Sequence, residues 1–462
     1  MNHSHQIISF FEENLNEKIC HDLCRKHKFI KRASKKIQGH EFIKAMIIPS
    51  QGLATDSLKG IAKRIQEFNV EADLSAQALN KRINDASAPC LMKGILGYII
   101  GYIHEKAKKR CSKLDLALKH FNNVYLEDST TAVLNEKLQD EFKGSGGDSS
   151  KAQVKIDFIY ELMKGAIIEA SIHSANTPDQ SLASRILDHL KADDLVIRDL
   201  GYFALRIILA ISRAGAFFIS RLPSNVNIYL NKEDKKPLEL GKYLNKYHKG
   251  LNIIDLMVYL GQDKVPSRLV IYLLPKEVIE KRRRDANKRA KQTGRPISRN
   301  KQLYLQYSLF VTNISKDVLT SEQIGTIYRL RWEIELIFKR WKSQLEIDYL
   351  KGTHLNRIEC LIWSRLCTVA IIEIIRGFIA KIVQKMFSQE LSEAKLIQYL
   401  LRESQFRRAV ATNKLENYLE DMLKDARRML LKDKRRRRTM RERVFMHESY
   451  YCLQITDNQL IA

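Results

Sequence analysis

The stretch IYRLRWEIELIFKRWKSQ, residues 327–344, places a phenol, two cations and a carboxylate at spacings that let them act together. Counted from Tyr328, the residues Arg331, Glu335 and Lys342 lie three, seven and fourteen positions on. At about 3.6 residues per helical turn, the four fall within one sector of roughly 60°. Ile327, Leu330, Ile334, Ile337, Phe338 and Trp341 occupy another side, the face such a helix would bury. Taken alone, the stripe also suits a solvated face held by pairs one turn apart, such as Arg331–Glu335 and Glu335–Lys339. Two distant acids change its meaning. Asp128 ends the alternating run HFNNVYLEDST far enough in to close a strand, and Asp199 ends DLVIRD. Acids at the ends of neighbouring strands, with a third on a later helix, can meet at one point. Carboxylates gathered in this way repel one another unless a hard divalent cation lies between them. A pair of such ions about 3.5–4 Å apart activates an attacking oxygen and steadies the leaving one in phosphodiester cleavage. Each aspartate singly would serve equally well as a cap or turn acid. The coincidence of three carries the reading.

The elements that must position these residues follow from hydrophobic periodicity. From about residue 120 the expected order is strand, strand, strand, helix, strand, helix, strand. The strands fall at 120–128, 154–160, 166–171, 194–199 and 216–222, and the helices at 181–190 and 202–213. Residues 223–306 interrupt this pattern with candidate strands at 226–230, 268–274 and 303–311 and a strongly basic segment, EKRRRDANKRAKQTGRPISRNK. One long amphipathic helix is then expected over 321–344, with Thr320 and Gln323 spaced as a capping box. Residues 1–115 read as helical. Within them, 57–85 looks like two helices joined by a turn. Ser75 would cap the second, whose polar face carries Gln77, Asn80, Lys81 and Arg82, side chains able to meet base edges and phosphates. From about residue 357 the chain is again helical, with the basic run LKDKRRRRTMRER near its end.

Composition narrows the partner. The 462 residues are 45% hydrophobic, enough for a sizeable core and too many for wholesale disorder. Lys and Arg number 79 against 53 Asp and Glu, a formal charge of +26. An excess of that size points to a polyanion, because cations gain affinity by displacing the counterions condensed on phosphates. No stretch reads as a transmembrane helix: 95–103 is too short, and 367–387 is interrupted by Glu373, Arg376 and Lys381. The first residues lack the build of a signal peptide, so a cytoplasmic protein without a membrane partner is expected. Cys20, His21 and Cys24 have no second pair at zinc spacing. The Gly-rich SGGDSS is not followed by the Lys-Ser/Thr of a phosphate-binding loop.

Tyr, two residues, Arg, three residues, Glu, six residues, Lys is the YREK signature of the insertion-sequence-four (IS-four) family of DDE transposases. Tyr328, Arg331, Glu335 and Lys342 match it without departure in spacing. The chain also resembles that family in LEDST around Asp128, IRDLGYF around Asp199, FFISRL after it and FVTN before the signature helix. The resemblance covers about 120–350 well and FIKRASKKIQGHEF near the N-terminus loosely. It implies an α/β fold: a ribonuclease-H-like catalytic core with a β-rich insertion domain, flanked by helical N- and C-terminal regions. The expected divisions are 1–115, 116–222, 223–305 (the insertion), 306–375 and 376–462. Carried over, Asp128, Asp199 and Glu335 bind two Mg2+ ions, with Mn2+ able to substitute. Tyr328, Arg331 and Lys342 contact phosphates at the element ends; apart from the resemblance, Lys339, Arg221 and, on the polar face of the N-terminal helix, Lys81 and Arg82 are further DNA-binding candidates. Tyr307, just before FVTN, is the candidate to hold a flipped base. The implied partners are double-stranded DNA, both element ends and target, and a second subunit in the synaptic complex. The implied activity is cleavage of element ends and strand transfer, by cut-and-paste with a hairpin intermediate. Two alternatives stay open on the residues alone: a non-catalytic DNA-binding derivative, and a nuclease of the same fold without strand transfer.

Overall fold

In the computed structural model, residues 3–30, 37–53, 57–72, 74–106, 118–146, 149–247 and 250–433 are described. Nine strands form one sheet: β1 Val124–Val133, β2 Gln153–Glu161, β3 Ala166–Ser174, β4 Leu195–Arg198, β5 Phe217–Arg221, β6 Ile228–Tyr229, β7 Ile253–Leu260, β8 Val265–Leu273 and β9 Tyr307–Thr312. Their spatial order is β3-β2-β1-β4-β5-β9-β8-β7-β6. β1, β2 and β3 pair antiparallel, β4 and β5 run parallel to β1, and β9, β8, β7 and β6 return to antiparallel pairing.

The two-residue period of the strands splits their side chains between two cores. Leu126, Ile197, Ile219, Val270 and Phe310 join the larger core, which includes the apolar face of the 327–344 region and most of the helices. Tyr125, Val196, Phe218, Leu269 and Val311, each one residue away, join a second core. That core is closed by the helix Leu205–Arg213, whose Ile207, Ile208 and Ile211 are buried. A sheet covered on both faces explains why β2 and β4 are buried along nearly their whole length, β2 with charged Lys155, Asp157 and Glu161 among its apolar residues.

The strands of 223–306 lie in the same sheet as those before them, because β9 pairs with β5 and carries β8, β7 and β6 outward. β7 has no counterpart in the sequence reading; its half-exposed alternation, IIDLMVYL, is interrupted by Asp255. The expected helix over 181–190 is a single turn, Asp179–Leu182, and a 3-10 turn, Arg185–Asp188. The larger core also runs without a break from Ile7 to Leu430. A 33-residue helix, Leu355–Phe387, threads it and packs along Ser87–Lys106 from the N-terminal region. Among the described residues, no single helix is long and apolar enough to cross a membrane.

A buried ion pair ties the outer strands to the helix that follows β9. Arg268 on β8 donates to Asp255 on β7 at 2.7 Å and to the carbonyls of Ile314 and Leu319 at 3.1 and 2.7 Å. Ser321, the first residue of that helix, donates to the same carboxylate at 2.5 Å. Removing one member of such a group leaves a buried charge without its counterion. Arg268→Leu is therefore expected to destabilise the protein by about 3–5 kcal/mol in urea unfolding, and a loss below about 1 kcal/mol would place this pair among weak surface contacts.

Candidate active site

Strand geometry brings the two aspartates together. β1 and β4 run parallel with Leu126 opposite Ile197 and Glu127 opposite Arg198. Two residues beyond Leu126 and Ile197, Asp128 and Asp199 share the face of the larger core. Asp199 directly follows β4, as the sequence suggests. Asp128 does not end its strand. It is the fifth of ten residues in β1, which continues to Val133 because β2 pairs with it throughout. β4, its other neighbour, stops at Arg198, so the sheet opens beside Asp128 and leaves its carboxylate accessible from that side.

The helix above the acids is not one continuous rod. A capped helix, Ser321–Tyr328, with Thr320 and Gln323 forming the expected box, passes through a 3-10 turn, Arg329–Arg331, into the helix Trp332–Leu345. Phe158, opposite Asp128 on β2, receives the second segment: its ring centroid lies 5.1 Å from Phe338 and 5.5 Å from Trp341. Tyr328 packs on Phe310 of β9 at 4.8 Å. These contacts fix the position of Arg331 and Glu335 over the sheet.

Arg331 is the centre of the resulting group. Its Nη2 lies 2.5 Å from Glu335 Oε1, its Nη1 3.5 Å from Asp128 Oδ2 and its Nε 3.6 Å from Asp199 Oδ1. The Tyr328 hydroxyl donates to Asp199 Oδ1 at 3.4 Å. Lys342 donates to the Thr131 carbonyl on β1 at 2.9 Å. Asp128, Ser129, Thr130, Glu335, Lys339 and Lys342 line an open cleft, so the signature residues separated by some 200 positions share one place. Arg221, the last residue of β5, has the parity of Ile219 and so faces the same side as the acids, one strand beyond Asp199.

Other candidates lie elsewhere. Tyr307 begins β9 but packs into the second core, on the opposite face from the acids. Lys81 is exposed on the helix Ala76–Ile83, which Ser75 caps as expected, and Lys81 does not line the cleft. Arg82 is committed inward, donating to the Phe29 carbonyl at 2.8 Å and lying over the Phe29 ring. Of the basic run LKDKRRRRTMRER, residues 434–443 lie outside the described residues.

Behind the acids is a polar layer that sequence reading missed. Glu127 and Arg198, both fully buried, pair at 2.6 Å on the reverse face of β1 and β4. Next to them, Arg185 and the Tyr202 hydroxyl both donate to Asp157, Arg185 also meets Glu169 at 2.5 Å, and His189 lies 2.6 Å from the same glutamate. The available signal was the acid in LEDST and the base in IRDLGYF standing beside each aspartate, and Asp157 inside an otherwise apolar strand.

The electrostatics favour a cation at this point. Burial pushes the Asp128 carboxyl up to about 7, against the opposing pull of Arg331. Burial also works against the charge on Arg331, but Tyr328, Asp199 and Glu335 outweigh it and hold the guanidinium more firmly protonated. Three carboxylates reaching one cation are the hard-oxygen donor set a divalent ion requires. Among the described residues, no three acids stand at metal-holding distance in the present arrangement. Asp128, Asp199 and Glu335 are oxygen donors of the kind such an ion takes, and Arg331 occupies the space between them. The raised Asp128 pKa has a sign that can be checked. The folded chain holds this proton more tightly than the unfolded chain, so its contribution to stability is complete below about pH 4 and is lost as pH rises through about 7. In EDTA, Asp128→Asn is expected to melt a few degrees above the wild type at pH 8, with the gain shrinking toward pH 5. An equal shift at both pH values would refute the raised pKa.

Comparison with known proteins places the chain in a family. The transposase DDE domain family matches residues 119–371, more than half of the 462. The transposase of insertion sequence element IS231F from Bacillus thuringiensis subsp. israelensis is 28% identical over 391 residues, covering 81% of each chain. The transposase of IS1151 from Clostridium perfringens is 28% identical over 417 residues, 86% of each chain. Among solved structures, a piggyBac transposase synaptic complex with hairpin DNA aligns over 94% of this chain and 87% of that one, at 10% identity and a TM-score of 0.46. With Arg331 paired to Asp128, Asp199 and Glu335, Tyr328 bonded to Asp199, Lys342 lining a cleft with Asp128 and Glu335, and all six inside the matched region, the chain belongs to the IS-four family of DDE transposases, enzymes that cleave DNA and transfer its strands.

Proposed function

We propose that Asp128, Asp199 and Glu335 hold two Mg2+ ions in a ribonuclease-H-like core, and that the enzyme excises its element by cut-and-paste through a hairpin intermediate. The observation that carries this reading is the convergence of the three carboxylates on the single guanidinium of Arg331. The strand order β3-β2-β1-β4-β5, with the first three antiparallel and the last two parallel to β1, supports the core assignment. When bound, the ions polarise the attacking oxygen and neutralise charge on the leaving one. The chain's own residues do the rest. Lys342 and Lys339 attract the DNA backbone to the cleft, and Arg331 and Tyr328 offer donors to non-bridging phosphate oxygens. Water first breaks the phosphodiester at the element end, leaving a 3′-hydroxyl on the element and a 5′-phosphate on the flank; that hydroxyl then attacks the phosphodiester of the opposite strand, closing the hairpin and releasing the 3′-hydroxyl of the flanking DNA.

A second contact zone is the helix Lys276–Thr293, whose only buried residue is Val278. Arg282 ties it to β9 through the Tyr307 carbonyl and Ser308 hydroxyl, at 3.3 and 3.4 Å. The remaining Lys and Arg side chains of 281–295 suit phosphate contact along a duplex. Two ends must be held at once, so a dimer assembled on DNA in the bacterial cytoplasm completes the proposal.

The test is cleavage of the DNA flanking this gene in Mg2+. Glu335→Ala should bring cutting below detection, and equal cutting by variant and wild type would end the assignment. Lys342→Ala should weaken end binding and lower the slope of log affinity on log salt by about 1. An unchanged affinity and slope would remove Lys342 from the phosphate grip.

A further inference from the structure

Arg331 answers the three acids with three different nitrogens: Nη1 for Asp128, Nε for Asp199 and Nη2 for Glu335. Its side chain is 15% exposed and that of Asp128 19%, whereas Asp199 and Glu335 open to solvent at 40% and 39%. A divalent ion needs the same oxygen lone pairs, and its charge would repel a guanidinium a few ångströms away. The two cations therefore exclude one another from this site. Arg331 also ends the 3-10 turn between the helices Ser321–Tyr328 and Trp332–Leu345. Such a break in a helix is a position where the backbone can adjust without unravelling the segments on either side. The open cleft beside it is lined by Lys339 and Lys342, which would bring a phosphate within reach. A phosphate offers the planar guanidinium a bidentate partner of the kind it binds best.

We propose that Arg331 gates metal loading: it neutralises the three acids until a DNA phosphate draws it away, so that bound DNA and bound metal strengthen one another. This rests on the three acids being the metal ligands. Linkage requires the effect to be mutual, with DNA tightening metal by the same factor as metal tightens DNA. An enzyme built in this way is loaded for cutting chiefly when a duplex is already in place.

The experiment is Mn2+ titration of the full-length protein followed by electron paramagnetic resonance, in the cold, with and without a duplex taken from the DNA flanking this gene. Mn2+ uptake by the duplex itself is measured on the duplex alone and subtracted. Wild type is expected to bind Mn2+ roughly tenfold or more tightly when the duplex is present. Arg331→Ala should bind Mn2+ tightly without DNA, and the duplex should then add little. Arg331→Lys, which offers a point charge in place of the three-sided fork, should fall between them and serves if the alanine variant does not fold. The gate is overturned if wild-type affinity for Mn2+ is indifferent to the duplex, or if neither variant binds Mn2+ more tightly than wild type without DNA. If Asp128→Ala and Glu335→Ala both bind Mn2+ as well as wild type, the metal-ligand reading itself fails, a result separable from failure of the gate.

Discussion

The parallel pairing of β1 with β4 is the constraint on which the site depends. Hydrogen bonds along these two strands set Leu126 against Ile197 and Glu127 against Arg198, and the aspartates follow one position later. A slip of one residue would turn Asp199 toward the second core and move Arg198 to the face now occupied by the acids. The register is held from the reverse side by the Glu127–Arg198 pair, which lies in a wholly buried setting. Burial pushes the Glu127 carboxyl up to about 7 even with Arg198 beside it. A pair in that position contributes little net stability, because desolvation offsets most of its attraction. Its consequence is specificity: any other register would leave two charges buried apart.

The helix over the site depends on a different kind of contact. Phe158 sits opposite Asp128 on β2 and receives Phe338 and Trp341, so the strand paired with the one that carries Asp128 seats the helix that carries Glu335. At the other end, Tyr328 rests on Phe310 of β9, while Arg268 and Asp255 hold the start of the helix against β8 and β7. The strands of 223–306 therefore help to place the cleft as well as extending the sheet. Between these two anchorages lies the 3-10 turn that ends in Arg331, with Leu330 buried in the larger core and Arg331 turned to the acids.

Much of the site was legible in the sequence, for reasons that can be named. The spacing of Tyr328, Arg331, Glu335 and Lys342 and the surroundings of Asp128 and Asp199 are local patterns, and local patterns survive without knowledge of the fold. The period of the apolar residues likewise located β2, β4, β5 and the capping box at Thr320. Where the reading departed from the structure, partners supplied by distant chain decided the outcome. β1 runs on past Asp128 because β2 pairs with its polar second half, and Tyr307 packs away from the acids because of the parity that β8 imposes on β9. Arg82 is held by Phe29, more than fifty residues earlier.

The sequence by itself determined which side chains could hold metal and phosphate, since composition, charge and short spacing are properties of the chain. Only the tertiary structure decided that Arg331 would stand among all three acids, that Glu127 and Arg198 would pair behind them, and that nine strands would form one sheet. The physical reason is the same in each case. Register, face and counterion are set by whichever distant segment fills a hydrogen-bonding edge or covers an apolar face, and no window of neighbouring residues contains that information.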